Sequence, residues 1–192
     1  MNGAAGGIAN RSVITVTMGA ILGIAALADG QDASNFAQGS WSLSTYGSYT
    51  QSFTGERVRL AGGTVGLGYY VWENVSLNAE FSGFHVDQSG EDATLSDLGI
   101  LLRQHLFHRG RFSFFVDVGG GLTYATHPTP PGGTYFNFTE ETGLGATWQL
   151  GGNLHLIGGV RYFHLSNARI EGPERNPSIN ATQGYVGLMW SF

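Results

Sequence analysis

A histidine and a serine stand two residues apart near the end of a segment of alternating polarity. Side chains on a β-strand alternate between its faces, so His164 and Ser166 share one face, with Cα atoms about 6.6 Å apart. A serine hydroxyl beside an imidazole is the nucleophile and general base of many hydrolases. The pair is therefore a candidate catalytic site, and it continues an apolar stripe that would face lipid or another apolar surface. The apolar side chains on this face are Leu154, Leu156, Val160 and Tyr162.

The start of the chain has the pattern of a secretory signal peptide. A region with one cation, Arg11, precedes an apolar run of about fifteen residues, Val13–Leu27, which is too short to cross a bilayer as a helix. Ala26 and Ala28 fit an A-x-A cleavage site. We therefore predict a signal peptide over residues 1–28 and one mature domain over residues 29–192. A buried or interfacial N-terminal helix is the alternative.

The composition excludes several classes of protein. There is no cysteine, so an exported domain must be closed by sheet hydrogen bonds and packing rather than by disulfides. The formal charge of the chain is −5, and loss of Arg11 makes the mature chain one unit more negative, which excludes a polybasic nucleic-acid surface. The histidines are scattered without metal-ligand spacing, so we expect no metal site.

Alternation with period two predicts eight β-strands in the mature chain, and no helical periodicity of similar length competes with it. Turn residues separate the strands, and short connections alternate with longer ones, as in a series of hairpins. The predicted strands are Trp41–Phe53, Val58–Trp72, Val75–Val86, Thr94–Phe107, Phe112–Tyr124, Tyr135–Leu150, Leu154–Ser166 and Ala181–Phe192.

This pattern predicts an all-β fold, an eight-stranded antiparallel up-and-down transmembrane β-barrel. Outer-membrane barrels have an even number of strands, apolar side chains outside, polar side chains inside and short turns at one rim. An eight-stranded barrel is filled by its side chains, so the inward charges are expected to form a polar network. A soluble, lipocalin-like barrel with the two faces exchanged is the alternative. The predicted network residues are Asp97, Arg103, Asp117, Glu141 and Arg161.

Strand direction places the His164 and Ser166 pair at a particular depth. If the chain starts in the periplasm, the seventh strand rises outward from the tight turn at Gly151-Gly152. His164 then lies on the order of 28 Å above that turn, beside the edge of an apolar band about 25 Å tall. This is the level at which acyl esters join the sugar headgroup of lipopolysaccharide.

The segment Arg161–Ala168, followed by Asn176–Asn180, resembles the lipid A 3-O-deacylase (acyloxyacyl hydrolase) family. A weaker likeness begins at Phe136–Glu140 and covers most of the mature chain. The resemblance implies an eight-stranded barrel with an outward His-x-Ser-Asn site in the bacterial outer membrane. It implies that Ser166 is the nucleophile and His164 the general base.

The resemblance also implies that Asn167 helps to form the oxyanion hole. The implied activity is that of a serine ester hydrolase, which removes the 3-O-linked 3-hydroxyacyl chain of lipid A and needs no cofactor. Its expected partners are lipopolysaccharide lipid A and the outer membrane, with a homodimer as a further candidate assembly.

One position departs from the family pattern. Family members carry a glutamate early in the last strand to orient the histidine, and Asn180 stands there in this chain. Pairing matching faces across the Gly151-Gly152 turn places Glu140 opposite His164, close enough for a carboxylate–imidazole contact. We therefore predict that Glu140 supplies the missing carboxylate. The alternatives are Asn180 acting alone, or Glu171 or Glu174 folding back from the loop.

Other functions stay open at this point. A non-catalytic small barrel for membrane integrity or adhesion would use His164 and Ser166 only as polar groups at the membrane interface, and a lipid acyltransferase is a third class. Two arginines, Arg169 and Arg175, follow the site in a charged loop. They are either part of a solvated surface or contacts for the phosphates of lipid A.

Overall fold

The computed structural model describes residues 36–192, which form a closed antiparallel β-barrel with strand order β1 to β8. The predicted signal peptide over residues 1–28 lies outside the described residues. A single 3₁₀ turn, Pro173–Arg175, lies in the last connection. The strands are β1 Trp41–Thr54, β2 Arg59–Trp72, β3 Val75–Asp87, β4 Ala93–Arg109, β5 Phe112–Thr129, β6 Thr134–Gly151, β7 Leu154–Ser166 and β8 Ile179–Ser191.

The two rims of the barrel differ in the length of their connections. Three connections contain two residues each and form the short-turn rim: 73–74, 110–111 and 152–153. The opposite rim carries the connections 55–58, 88–92, 130–133 and 167–178, and we call it the long-loop rim. Because β7 ends at Ser166, the His-x-Ser pair lies at the long-loop rim. Within residues 36–192, none of the helical segments is long and apolar enough to cross a membrane.

Alternation places apolar side chains on the outer wall and polar side chains inside. On β3, Phe81 is 59% exposed, whereas the preceding residue, Glu80, is 3% exposed. Since the same pattern recurs on the other strands, the surface is that of a barrel surrounded by lipid. The all-β fold, its eight antiparallel strands and the outward direction of the apolar face are confirmed.

The interior contains the predicted network of buried charges. Asp117 accepts two hydrogen bonds from Arg103, at 2.8 and 3.0 Å, and one from Arg161 at 2.9 Å. Arg161 also contacts Glu80 at 3.1 Å and Glu141 at 3.0 Å. These five groups come from β3, β4, β5, β6 and β7, so the network ties the barrel together across its lumen. Asp97 joins its edge by accepting a hydrogen bond from Thr139 at 3.1 Å.

Replacing Arg161 with methionine is expected to destabilise the barrel by about 3–5 kcal/mol, because it leaves buried carboxylates without their cation. Chemical unfolding of the purified barrel in detergent, followed by tryptophan fluorescence, measures the change. The control is Arg175→Met, which removes an exposed ion pair worth about 1 kcal/mol or less. If Arg161→Met fails to fold, adding Glu80→Gln and Glu141→Gln should restore folding. An unfolding free energy unchanged by Arg161→Met contradicts the role of this network.

A small apolar layer fills the barrel interior at the long-loop rim. Phe163 and Leu165 of β7 and Ile179 and Ala181 of β8 are almost completely buried within it. Leu165 lies between His164 and Ser166 in the sequence and points to the opposite face. Inward packing of this side chain therefore anchors the backbone that presents the outward pair.

The hairpin of β5 and β6 is longer than the sequence pattern predicts. The expected loop after Tyr124 is mostly strand: β5 continues to Thr129, and Thr129 pairs with Thr134 after an irregularity in the register. Only residues 130–133 form the connection. The extension is held in part by Asn137, whose amide donates to the Thr129 carbonyl at 2.8 Å.

Candidate functional site

His164 and Ser166 lie on the outer wall at the end of β7, both half-buried. Within the described residues, neither side chain hydrogen-bonds to the other, and the Ser166 hydroxyl has no hydrogen-bond partner. Contacts between a catalytic base and its nucleophile are often loose without substrate. The structure therefore places the predicted pair on one face and at one rim, with the hydroxyl free to meet a substrate.

The His164 ring is held by the neighbouring strand β8. Its Nδ1 is 2.8 Å from the Oδ1 atom of Asn180, which is also its partner in the strand pairing. The Asn180 amide is fixed in turn, since its Nδ2 donates to Thr54 Oγ1 at 2.8 Å and its Oδ1 also accepts from the Tyr162 hydroxyl. An amide oxygen only accepts, so Nδ1 carries the proton and Nε2 keeps its lone pair for a substrate or nucleophile.

Glu140 lies directly opposite His164 on β6, as predicted from the pairing of matching faces. Its side chain is exposed on the same outer wall. Within residues 36–192, however, no hydrogen bond or ion pair joins Glu140 to the His164 ring. The predicted strand pairing is therefore present, while the role of Glu140 as the carboxylate partner of His164 stays a prediction.

The two loop glutamates do not approach the histidine. Glu171 forms an ion pair with Arg175 at 2.6 Å. Glu174 is exposed in the 3₁₀ turn and has no hydrogen bond or ion pair within the described part of the chain. Of the residues predicted to orient the His164 ring, Asn180 is the one that hydrogen-bonds to it.

Asn167 follows Ser166 and is 1% exposed. Its backbone N–H donates to Asn176 Oδ1 at 2.9 Å, and its Nδ2 donates to the Arg175 carbonyl at 2.7 Å and to Thr134 Oγ1 at 3.2 Å. Its Oδ1 accepts the N–H of Arg169 at 2.9 Å. The predicted oxyanion donor is therefore fully engaged in holding the loop, and it can reach a substrate only by giving up one of these bonds.

Two members of this arrangement were not predicted as site residues. Tyr162 precedes His164 by two residues and shares its face, so its parity was a usable indication of proximity. Thr54 ends β1, and only the closure of the barrel between β1 and β8 brings it to Asn180. No group of three or more His, Asp or Glu side chains in residues 36–192 is arranged to hold a metal ion.

The closed eight-stranded barrel with an apolar outer wall defines this protein as an integral protein of the bacterial outer membrane. A family model described as "Lipid A 3-O-deacylase (PagL)" matches residues 24–189. The chain therefore belongs to the lipid A 3-O-deacylase family, whose members are ester hydrolases that deacylate lipid A. A search of curated proteins found no match.

Several solved structures share the fold. The outer membrane enzyme PagL superposes with a TM-score of 0.53 at 17% identity, covering 75% of this chain and 97% of that one. Neisserial surface protein A gives a TM-score of 0.60 at 12% identity, with 80% and 96% covered. OprG from Pseudomonas aeruginosa gives 0.56 at 10% identity, with 81% and 97% covered. At these identities the likeness establishes the barrel fold alone.

Proposed function

We propose that this protein is a serine ester hydrolase that removes the 3-O-linked 3-hydroxyacyl chain of lipid A. Membership of the deacylase family gives the substrate class, and the outward His164 and Ser166 pair gives the chemistry. The observation that carries the proposal is the His164 ring, held by Asn180 with Nε2 left free beside a serine of the same face. The exposed apolar wall below this pair suits a substrate whose acyl chains stay in the membrane.

In the proposed mechanism, Ser166 Oγ attacks the carbonyl carbon of the ester while His164 Nε2 takes the hydroxyl proton. The bond to the sugar oxygen breaks, and the protonated imidazole returns its proton to that oxygen. Water then attacks the acyl-serine with the same base and releases the 3-hydroxy acid. Asn180 keeps the ring in place at Nδ1 through both steps, and its own amide is steadied by Thr54 and Tyr162.

The charge on the imidazolium needs a partner that an amide does not supply. We propose that Glu140 provides it from the opposite neighbouring strand, without taking the Nδ1 position. Directly paired residues have Cβ atoms about 4.5–5.5 Å apart, so the carboxylate acts at short range. The Glu140 carboxylate is exposed on the outer wall and forms no ion pair within the described residues.

The negative charge that develops on the ester oxygen needs hydrogen-bond donors. We propose that Asn167 takes part by exchanging one of its present bonds when the substrate binds. The backbone N–H of the next residue, Ala168, has no acceptor within residues 36–192 and is available for the same task. In this proposal the buried Asn167 also holds the shape of the segment that follows the nucleophile.

The orientation of the barrel belongs to the same proposal. With the long-loop rim outside the cell, the pair sits where the acyl esters of outer-leaflet lipid A meet its sugar headgroup. The candidate homodimer stays a prediction, since the structure describes a single chain.

The test is the lipid A of cells that express the chain. Mass spectrometry should show a species smaller by one 3-hydroxyacyl group, with the free 3-hydroxy acid released. Cells that carry an empty vector are the control. Unchanged lipid A, with the barrel folded in the outer membrane, would favour the second candidate, a non-catalytic barrel for membrane integrity or adhesion. That candidate would use the half-buried His164 and Ser166 as polar groups at the membrane interface.

A further inference from the structure

The chain makes an unusual turn directly after the nucleophile candidate. Ala168 has a φ of 52° and Arg169 a φ of 64°, and the N–H of Ile170 donates to the Asn167 carbonyl at 3.1 Å. Two central residues with positive φ and this hydrogen bond define a turn of type I′, which favours glycine, asparagine or aspartate at those positions. Here the second position is occupied by arginine, although its side chain makes the conformation costly.

Buried hydrogen bonds hold this turn rigid. Asn167 Oδ1 accepts the N–H of Arg169, and its Nδ2 is bonded to the Arg175 carbonyl and to Thr134. The turn is thereby tied to the start of β6 and to the far end of its own loop. Three residues span at most about 11 Å, so the Arg169 backbone stays within that distance of Ser166.

The guanidinium of Arg169 is exposed and uncommitted. Four arginines of the described residues lie at the long-loop rim. Arg59 is paired with Asp87 at 3.0 Å, and Arg175 with Glu171 at 2.6 Å. Arg57 is exposed in the β1–β2 connection, three residues after Thr54, which contacts Asn180 of the site. Within residues 36–192 the Arg169 side chain has no ion pair and no hydrogen bond, so it offers a free positive charge next to the candidate site.

The other charges near the site are mostly negative. Glu140 and Glu174 are exposed and unpaired within the described chain, and Glu171 is balanced only by Arg175. An anionic headgroup approaching Ser166 would therefore meet net repulsion without Arg169. A guanidinium binds phosphate oxygens through two parallel charge-assisted hydrogen bonds, so it is the side chain suited to overcome this repulsion.

We propose that Arg169 binds a phosphate group on the glucosamine backbone of lipid A and thereby positions the headgroup over Ser166. This inference rests on the proposed function and makes Arg169 a specificity-determining residue. The need for a fixed cation explains why arginine occupies a position at which the turn favours glycine. Arg175 is excluded from this role because Glu171 and the Gly133 carbonyl already hold its guanidinium.

The test compares bisphosphorylated lipid A with its two monophosphorylated forms as substrates of the purified protein in detergent. For the unmodified chain we expect kcat/KM to fall about tenfold when the bound phosphate is missing, as for the loss of one charge-assisted contact. Arg169→Gln should raise KM for the bisphosphorylated form by a similar factor with little change in kcat. It should also abolish the preference for the bisphosphorylated form over the monophosphorylated ones. The monophosphorylated form with the lower kcat/KM is the one that lacks the phosphate bound by Arg169.

Two further variants separate charge from backbone strain. Arg169→Gly relaxes the turn but removes the charge, so it should behave like Arg169→Gln, whereas Arg169→Lys should keep part of the preference. Arg57→Gln removes the rival cation, which is also exposed at this rim, and should leave the preference for the bisphosphorylated form intact. A preference that persists in Arg169→Gln, or that is lost equally in Arg57→Gln, overturns the proposal.

A binding measurement keeps this proposal distinct from the proposed function. Calorimetric titration of Ser166→Ala with the same three lipids needs no catalysis, and addition of Arg169→Gln should remove the preference for the bisphosphorylated form. If the unmodified chain releases no 3-hydroxy acid, the proposed function fails, and the titration alone then decides whether Arg169 binds phosphate. Equal binding of all three lipids to the Ser166→Ala barrel would refute the phosphate contact.

Discussion

Replacing Ser166 with alanine is expected to abolish lipid A deacylation while the barrel still folds and inserts into the outer membrane. Loss of a serine nucleophile lowers kcat on the order of 10⁶-fold in a well-developed hydrolase, because the remaining groups cannot form the acyl-enzyme. The Ser166 hydroxyl has no hydrogen-bond partner among residues 36–192, so its removal should leave the fold unaffected. Mass spectrometry of lipid A after expression measures the effect.

The matched control for this experiment is Ser178→Ala. Ser178 is exposed in the same connection, close to the start of β8, and the change removes the same hydroxyl group. We expect full deacylation with this variant and comparable amounts of both barrels in the membrane. Undiminished loss of the 3-hydroxyacyl chain in Ser166→Ala would falsify the nucleophile assignment.

Much of this fold follows from the alternation of side chains. A barrel strand between lipid and a polar interior alternates with period two, so most of its outward and inward residues can be assigned from sequence. The alternation breaks at β-bulges, as between His105 and Phe107 on β4. The ends of the strands are less well defined by sequence. Pro128 and Pro130 indicated a loop after Tyr124, but β5 continues to Thr129. Side-chain hydrogen bonds from Asn137 stabilise this extension, and such bonds between distant residues leave no periodic pattern.

The candidate site was predictable to the level of the strand register. Matching of faces across the short turn places Glu140 opposite His164, and the structure has this pairing. Which neighbour bonds to the ring depends on side-chain geometry, and here Asn180 from the other side does so. The role of Thr54 could not be predicted, because it requires the register between the first and last strands. The engagement of Asn167 likewise depends on the fold of the twelve-residue connection after β7.

The absence of a carboxylate at position 180 leads to a prediction about two residues together. Asn180→Ala should lower kcat by about 100-fold, since the ring loses the group that orients it. Glu140→Gln should lower kcat by about tenfold, because it removes charge stabilisation of the imidazolium without releasing the ring. Glu174→Gln is the control, since this exposed glutamate has no contact with His164, and it should leave kcat unchanged.

Asn180→Glu provides the decisive comparison, because it adds a carboxylate at the position that bonds to Nδ1. A triad acid can contribute up to about 10⁴-fold in rate, so this variant is expected to be faster than the unmodified protein. When Glu140→Gln is added to Asn180→Glu, it should have almost no effect on kcat, since the new carboxylate already balances the charge of the imidazolium. Two residues that supply the same charge are coupled, and a double-mutant cycle on kcat measures that coupling. Full activity in Glu140→Gln with the native Asn180 would show that Glu140 does not supply the missing charge, whereas additive effects of the two substitutions would show that each acts on a different step.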